Sequence, residues 1–201
     1  MKPVPNVPRL IEFHKLLNSF AEIERIVHIK RHNEHVLESD SEHAYNLAMM
    51  AWFIADYFPE LDRNKVICLA LVHDLVEIHA GDTYVFADQS HLDSKATREE
   101  AARRTLAKDW PDFPALHEAI AEYEERKTPE ACFTYALDKI MPMFAIYLND
   151  GFTWHEKQIT LKQLDIEKRA KMSVSPEAFP YWEELHAMLK EQPKLFHQKL
   201  L

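Results

Sequence analysis

Four ionisable side chains sit in stretches that are otherwise almost wholly apolar. They are His43 in EHAYNLAMMAWF, His73 and Asp74 in CLALVHDLVEIH, and Asp138 in FTYALDKIMPMF. An unpaired carboxylate in such surroundings costs on the order of several kcal/mol in desolvation, so Asp74 and Asp138 require a counter-charge or a cation. Glu77 follows His73 by four residues, and helical spacing puts the two on one face. Two imidazoles and two carboxylates form a mixed nitrogen and oxygen set suited to a divalent transition metal, with positions left for water and substrate. On spacing alone the same residues also fit satisfied core histidines, with Asp74 and Asp138 paired to Lys139, Arg31 or backbone groups.

Helices must do the positioning. With two glycines in 201 residues, few sites adopt positive φ cheaply, which disfavours hairpin-rich sheets and leaves helices joined by proline-bearing loops. Periodicity predicts a first helix over 8–24, then a polar loop, IVHIKRHNEHVLES, ending in the capping-box pattern Ser39-x-x-Glu42. A helix carrying His43 starts near Asp40 and stops at Phe58-Pro59; Asp62 caps the next. That one, 64–79, is apolar nearly all round and reads as a core helix ended by Gly81. After a loop from Asp82 to Asp93 come helical stretches at 95–110 and 117–128, then a strong start at Thr128-Pro129-Glu130 for the helix bearing Asp138. Pro142 predicts a kink in it, Asn149-Asp150-Gly151 its end, and helices over 154–171 and 176–191 close the chain. The fold expected is all-α, one helical bundle over 1–201.

The formal net charge of -9 disfavours a nucleic acid polymer as partner, because polymer phosphates need a basic surface. A small anion remains compatible if a metal supplies positive charge locally. The start, MKPVPNVPRLIEF, has no uninterrupted apolar segment, and no uninterrupted run of about 20 apolar residues occurs, so a cytoplasmic protein without a membrane partner is expected. Cys68 and Cys132 lie in apolar helical sequence and read as buried thiols.

The order His43, His73-Asp74, Asp138 across three helices resembles the HD superfamily of metal-dependent phosphohydrolases. The segments ESDSEHAYNLAMMA, ALVHDLVEIHAGDT, KATREEAA and TPEACFTYALDKIMP, spanning about 38–142, resemble the group containing bacterial 5'-deoxynucleotidases and their eukaryotic relatives. That resemblance implies an HD-domain bundle in which His43, His73, Asp74 and Asp138 hold one divalent cation, one of Mn, Co, Fe, Ni, Zn or Mg. It implies that Glu77 orients or deprotonates the attacking water, and that Asp82 holds a sugar hydroxyl or assists at the leaving oxygen. The Arg-Trp pair of the bacterial enzymes has no match, since Ile26 follows Arg25.

The activity so implied is hydrolysis of a ribo- or deoxyribonucleoside 5'-monophosphate to nucleoside and phosphate by metal-activated water, in a protein expected to form a homodimer. Phe152, Trp154, Phe179, Tyr181 and Trp182 could supply the interface or serve as core. The alternatives are action on another small phosphorylated metabolite and a non-catalytic nucleotide-binding module. No Walker-type glycine loop is present, so basic side chains must meet the phosphate, and Arg31, Lys95 and Arg98 are the candidates. His79 and the loop histidines His28, His32 and His35 offer further donors for a second metal.

Overall fold

A computed structural model describes residues 4–84 and 88–197. The first helix, α1, runs Val7–Ala21, with Asn6 capping its start. The segment expected as a polar loop is instead a hairpin of β1, Glu24–Arg31, and β2, Glu34–Ser39, a small sheet on a fold that is otherwise helical, as expected. Its turn adopts positive φ at His32 (49°) and Asn33 (67°). Two-residue hairpin turns need that conformation, and asparagine tolerates it far better than most residues, so no glycine was required. Regular pairing of Arg31 with Glu34 and His28 with Leu37 breaks down between His28 and Glu24. Irregularities of this kind re-aim side chains, and here Arg25, Ile26 and Val27 line a cavity beneath the sheet.

The second helix, α2, covers Asp40–Ala55, and Ser39 and Glu42 form the capping box expected of them. Asp62 caps α3, Arg63–Val72. The long core helix predicted over 64–79 is therefore interrupted: His73 and Asp74 occupy tight turns before the short α4, Glu77–Ala80. The His73 Nδ1 donates to the carbonyl of Ala70 at 2.8 Å, and the Leu75 and Glu77 amides close three-residue turns onto Val72 and Asp74. A side chain that takes a backbone carbonyl competes with the helical ladder. Nor is α3 buried all round, since Leu71 is exposed and so is Cys68; Cys132 is half-buried, and neither thiol is the buried one expected. Gly81 ends α4 at φ 73°, as its type suggests. Part of the loop predicted from Asp82 to Asp93, residues 85–87, lies outside the described residues.

Next come α5, Gln89–Asp109, and α6, Pro114–Glu125. The helix α7, Pro129–Leu148, starts on the Thr128 cap, continues through Pro142, and is the axis of the fold. It packs against α2, α3, α6, β1 and the later α9. By length and composition alone α7 could cross a membrane, which the sequence patterning above did not anticipate, yet its core-facing residues Phe133, Leu137 and Ile140 are fully buried within the protein.

The predicted helix 154–171 is two: α8, Phe152–Glu156, and α9, Leu161–Met172, parted by Gln158 at φ 54°. The last helix is α10, Phe179–Lys190. Trp154 and Trp182 are buried in the main core and serve as core, while Phe179 and Tyr181 pack against it partly buried. Full burial of a large apolar side chain is worth about 2–3 kcal/mol.

Candidate metal centre

Three parts of the fold deliver one cluster. The first turns of α2 bring His43, the turn after α3 brings His73 and Asp74, and the middle of α7 brings Asp138. One ligand atom from each lies within 4.8 Å of the other three. His43 Nε2 is 3.1 Å from Asp138 Oδ1, and His73 Nε2 is 2.9 Å from Asp74 Oδ2 and 3.7 Å from Asp138 Oδ1.

The chemistry of these donors fits a divalent cation. His73 gives its Nδ1 proton to a backbone carbonyl, which fixes the tautomer and turns the other nitrogen towards the cluster, where Nε2 finds no hydrogen-bond partner. His43 Nδ1 faces the Glu38 carboxylate at 3.6 Å, an outer group of the kind that orients ligating imidazoles. The Tyr123 hydroxyl donates to Asp138 Oδ2 at 2.8 Å, leaving Oδ1 for the cluster. Buried oxygens of Glu38, Asp40 and Glu77 also lack hydrogen-bond partners.

The electrostatics agree with that fit. Burial alone would lower the imidazole, but Asp74 and Asp138 push His73 up to about 10. Burial works to raise Asp138, yet Lys139 and the two histidines hold it well below the usual carboxylate range. Burial, and after it the charges of Asp74, Asp40 and Asp82, push Glu77 up to about 12. Glu38, Asp40, Asp74, Glu77 and Asp138 thus crowd together, and surroundings that hold protons on His73 and Glu77 favour a cation in their place.

Asp74 and Asp138 of the cluster line a cavity of about 230 Å³, whose lining also includes Glu77, Asp82, Lys95, Lys139, Lys168 and Lys171. Asp82 is raised chiefly by burial, with Arg25 opposing. Of the basic candidates, Lys95 lines this cavity, paired with Glu99 at 3.2 Å. Arg98 instead bonds the Ala80 carbonyl and the Thr83 hydroxyl, so it holds the chain around Gly81. Arg31 lies at the turn end of the hairpin, about half-exposed against Glu42, and is not among the residues lining the cavity. His79 is exposed. His28 and His35 pack on Phe152. Neither they nor His79 join the cluster.

Patterning missed Arg25, Glu38, Asp40 and Tyr123. Arg25 donates at 2.8 Å to Asp74 Oδ2, the oxygen that also faces His73, and to Asp40 at 3.0 Å, so it offsets the charge of both carboxylates beside the cluster. Glu38 and Asp40 flank the Ser39 cap, where acids are ordinary, and their burial follows from the hairpin. The pairing of Asp138 with Lys139, one of the alternatives open from the sequence, is present beside the cluster rather than instead of it.

Residues 23–178 match the family model described as HD domain. The human protein named 5'-deoxynucleotidase HDDC2 is 33% identical over 132 residues, covering 65% of this chain and 63% of that protein. Its Xenopus laevis counterpart of the same name is 35% identical over 132 residues, covering 65% of this chain and 64% of its own. The chain therefore spans slightly under two thirds of the length of these curated relatives. Among solved structures, one named "Predicted metal-dependent phosphohydrolase" from Magnetospirillum magnetotacticum MS-1 is similar at a TM-score of 0.80 and 25% identity, covering 98% of this chain and 100% of the other.

Proposed function

This chain belongs to the HD domain family, and on that premise we propose that it is a metal-dependent phosphomonoesterase that hydrolyses nucleoside 5'-monophosphates, deoxyribonucleotides among them. The observation that carries the reading is the convergence of two imidazoles and two carboxylates within 4.8 Å, with the two carboxylates lining a cavity that also holds Glu77 and Asp82. His43, His73, Asp74 and Asp138 would hold a single divalent cation. When bound, that cation supplies Lewis-acid charge against the phosphoryl oxygens and makes the attacking water more acidic.

The remaining work falls to the side chains. Glu77, with one oxygen unpartnered and buried, would accept the proton of the attacking water once the charge of a bound cation offsets the neighbouring carboxylates that otherwise hold it protonated. Asp82, in the cavity lining, accepts a hydrogen bond from a sugar hydroxyl or gives a proton to the leaving 5' oxygen. Glu38 and Tyr123 keep His43 and Asp138 oriented. Lys95 lends positive charge near the incoming phosphate.

A homodimer is part of the same proposal, supported by the exposed apolar side chains Tyr45, Met49, Trp52 and Phe53 on α2 and Leu148 at the end of α7. Sedimentation at several concentrations checks it, a single monomeric species counting against.

The substrate class is tested by phosphate release from a panel of ribo- and deoxyribonucleoside 5'-monophosphates, sugar phosphates and phosphodiesters, with each divalent metal added to stripped protein. Turnover of 5'-monophosphates above the other classes is the expected result. Turnover confined to diesters or to non-nucleotide esters would replace the nucleotidase reading with another phosphohydrolase.

A further inference from the structure

Among the described residues, five cationic side chains line the cavity above the cluster, and four already have a carboxylate of their own. Arg25 bonds Asp74 and Asp40, Lys95 pairs with Glu99, Lys139 with Asp138, and Lys171 with Glu167 one turn earlier on α9. The fifth, Lys168 on α9, is only 5% exposed and has no hydrogen bond or ion pair to any described residue. A lysine that merely buries its stem carries the ammonium out to water; Lys168 keeps its own inside, facing the cavity.

Its surroundings sharpen the point. Burial, and after it the charges of Lys139 and Lys171, lower Lys168 to about 7, against the weaker pull of Asp138 and Glu167. Both of those carboxylates are engaged with other lysines. A buried cation among cations, with no anion of the protein to satisfy it, is disfavoured unless a ligand completes the site.

We propose that Lys168 is a phosphate-binding residue, donating from its ammonium to a non-bridging oxygen of the substrate's phosphomonoester on the side of the cavity formed by α9. The inference rests on the phosphohydrolase reading above and extends it to a residue far along the chain from the motif. A phosphoryl group suits the geometry because it offers several oxygens diverging from one centre. One can face the His/Asp cluster while another faces Lys168, which a single carboxylate accommodates less well. The assignment also gives α9 a role: it supplies the wall that turns a general anion pocket into one that grips the transferred group.

The test uses Lys168→Met, Lys168→Gln and Lys168→Arg in the full chain, each checked for metal content and melting temperature. Inorganic phosphate is titrated calorimetrically into the metal-loaded protein, and steady-state turnover of a nucleoside 5'-monophosphate is resolved into kcat and KM. Loss of one charge-assisted hydrogen bond is expected to weaken phosphate binding at least about tenfold in the Met and Gln variants. KM should rise by a similar factor, the Arg variant should recover most of the loss, and metal content should stay unchanged. Melting temperature should hold or rise, since the Met variant removes a buried charge without a protein partner.

Phosphate affinity within about twofold of wild type in the folded Met or Gln variant overturns the assignment, as does a wild-type protein that binds no phosphate. If phosphate binding depends on Lys168 while no nucleotide is hydrolysed, the anion site stands and the nucleotidase reading falls. If nucleotides are hydrolysed with unaltered KM in both variants, the reading stands and Lys168 is removed from it.

Discussion

At the scale of single residues, the cluster separates groups that would hold a cation from groups that would move a proton. Glu77 is outside the four-residue set, so Glu77→Gln should keep the metal and lose turnover, by about 100-fold or more for a general base. Metal content by emission spectroscopy beside kcat checks it, and unchanged kcat would remove Glu77 from the chemistry. Tyr123 acts one step further out. Tyr123→Phe deletes the hydrogen bond to Asp138 Oδ2, and metal affinity is expected to fall about 10- to 100-fold, read by competition with a chelating dye. The amino-acid sequence exposed His43, His73, Asp74 and Asp138 because ionisable groups stand out against apolar neighbours. It hid Arg25, Glu38 and Tyr123, whose polar or amphipathic surroundings look the same whether a side chain meets solvent or folds over a site.

At the scale of elements, caps and prolines marked helix starts well: Ser39, Asp62 and Thr128 each cap where their types and spacing indicated. Interruptions were hidden where they depend on tertiary contacts. The turn at His73 follows from a side chain claiming the Ala70 carbonyl, and the break before α9 follows from Gln158 at positive φ, and neither leaves a glycine or proline as a mark. The hairpin turn is the same case. Asn33→Val should cost about 1–2 kcal/mol in a denaturant melt, because a β-branched residue is poorly tolerated at φ 67°. Asn33→Gly should stay close to wild type, and equal effects of the two would contradict the turn geometry. Gly151 combines φ 76° with a would-be Cβ only 2.2 Å from the Leu195 carbonyl oxygen, so Gly151→Ala should destabilise the C-terminal packing more than Asn33→Val does.

At the scale of the whole molecule, the fold is a core built on α7 that carries one polar centre across its middle. Helical bundle architecture was legible from glycine scarcity, capping motifs and periodicity; the way the hairpin and α9 close the cavity was not, since both depend on partners distant along the chain. Buried carboxylates facing Arg25 and Lys139 imply that a bound cation also stabilises the fold. Exhaustive chelation should lower the melting temperature by roughly 5–10 °C relative to protein saturated at about 100 times the dissociation constant. Restoring the metal should reverse the shift. The most direct test of the account pairs metal content with phosphate release from a deoxyribonucleoside 5'-monophosphate, in wild type and in Asp74→Ala. The account predicts near-stoichiometric metal and phosphate release in the wild type, with both lost in the variant. Phosphate release that persists in Asp74→Ala, or in fully stripped wild-type protein, would contradict it.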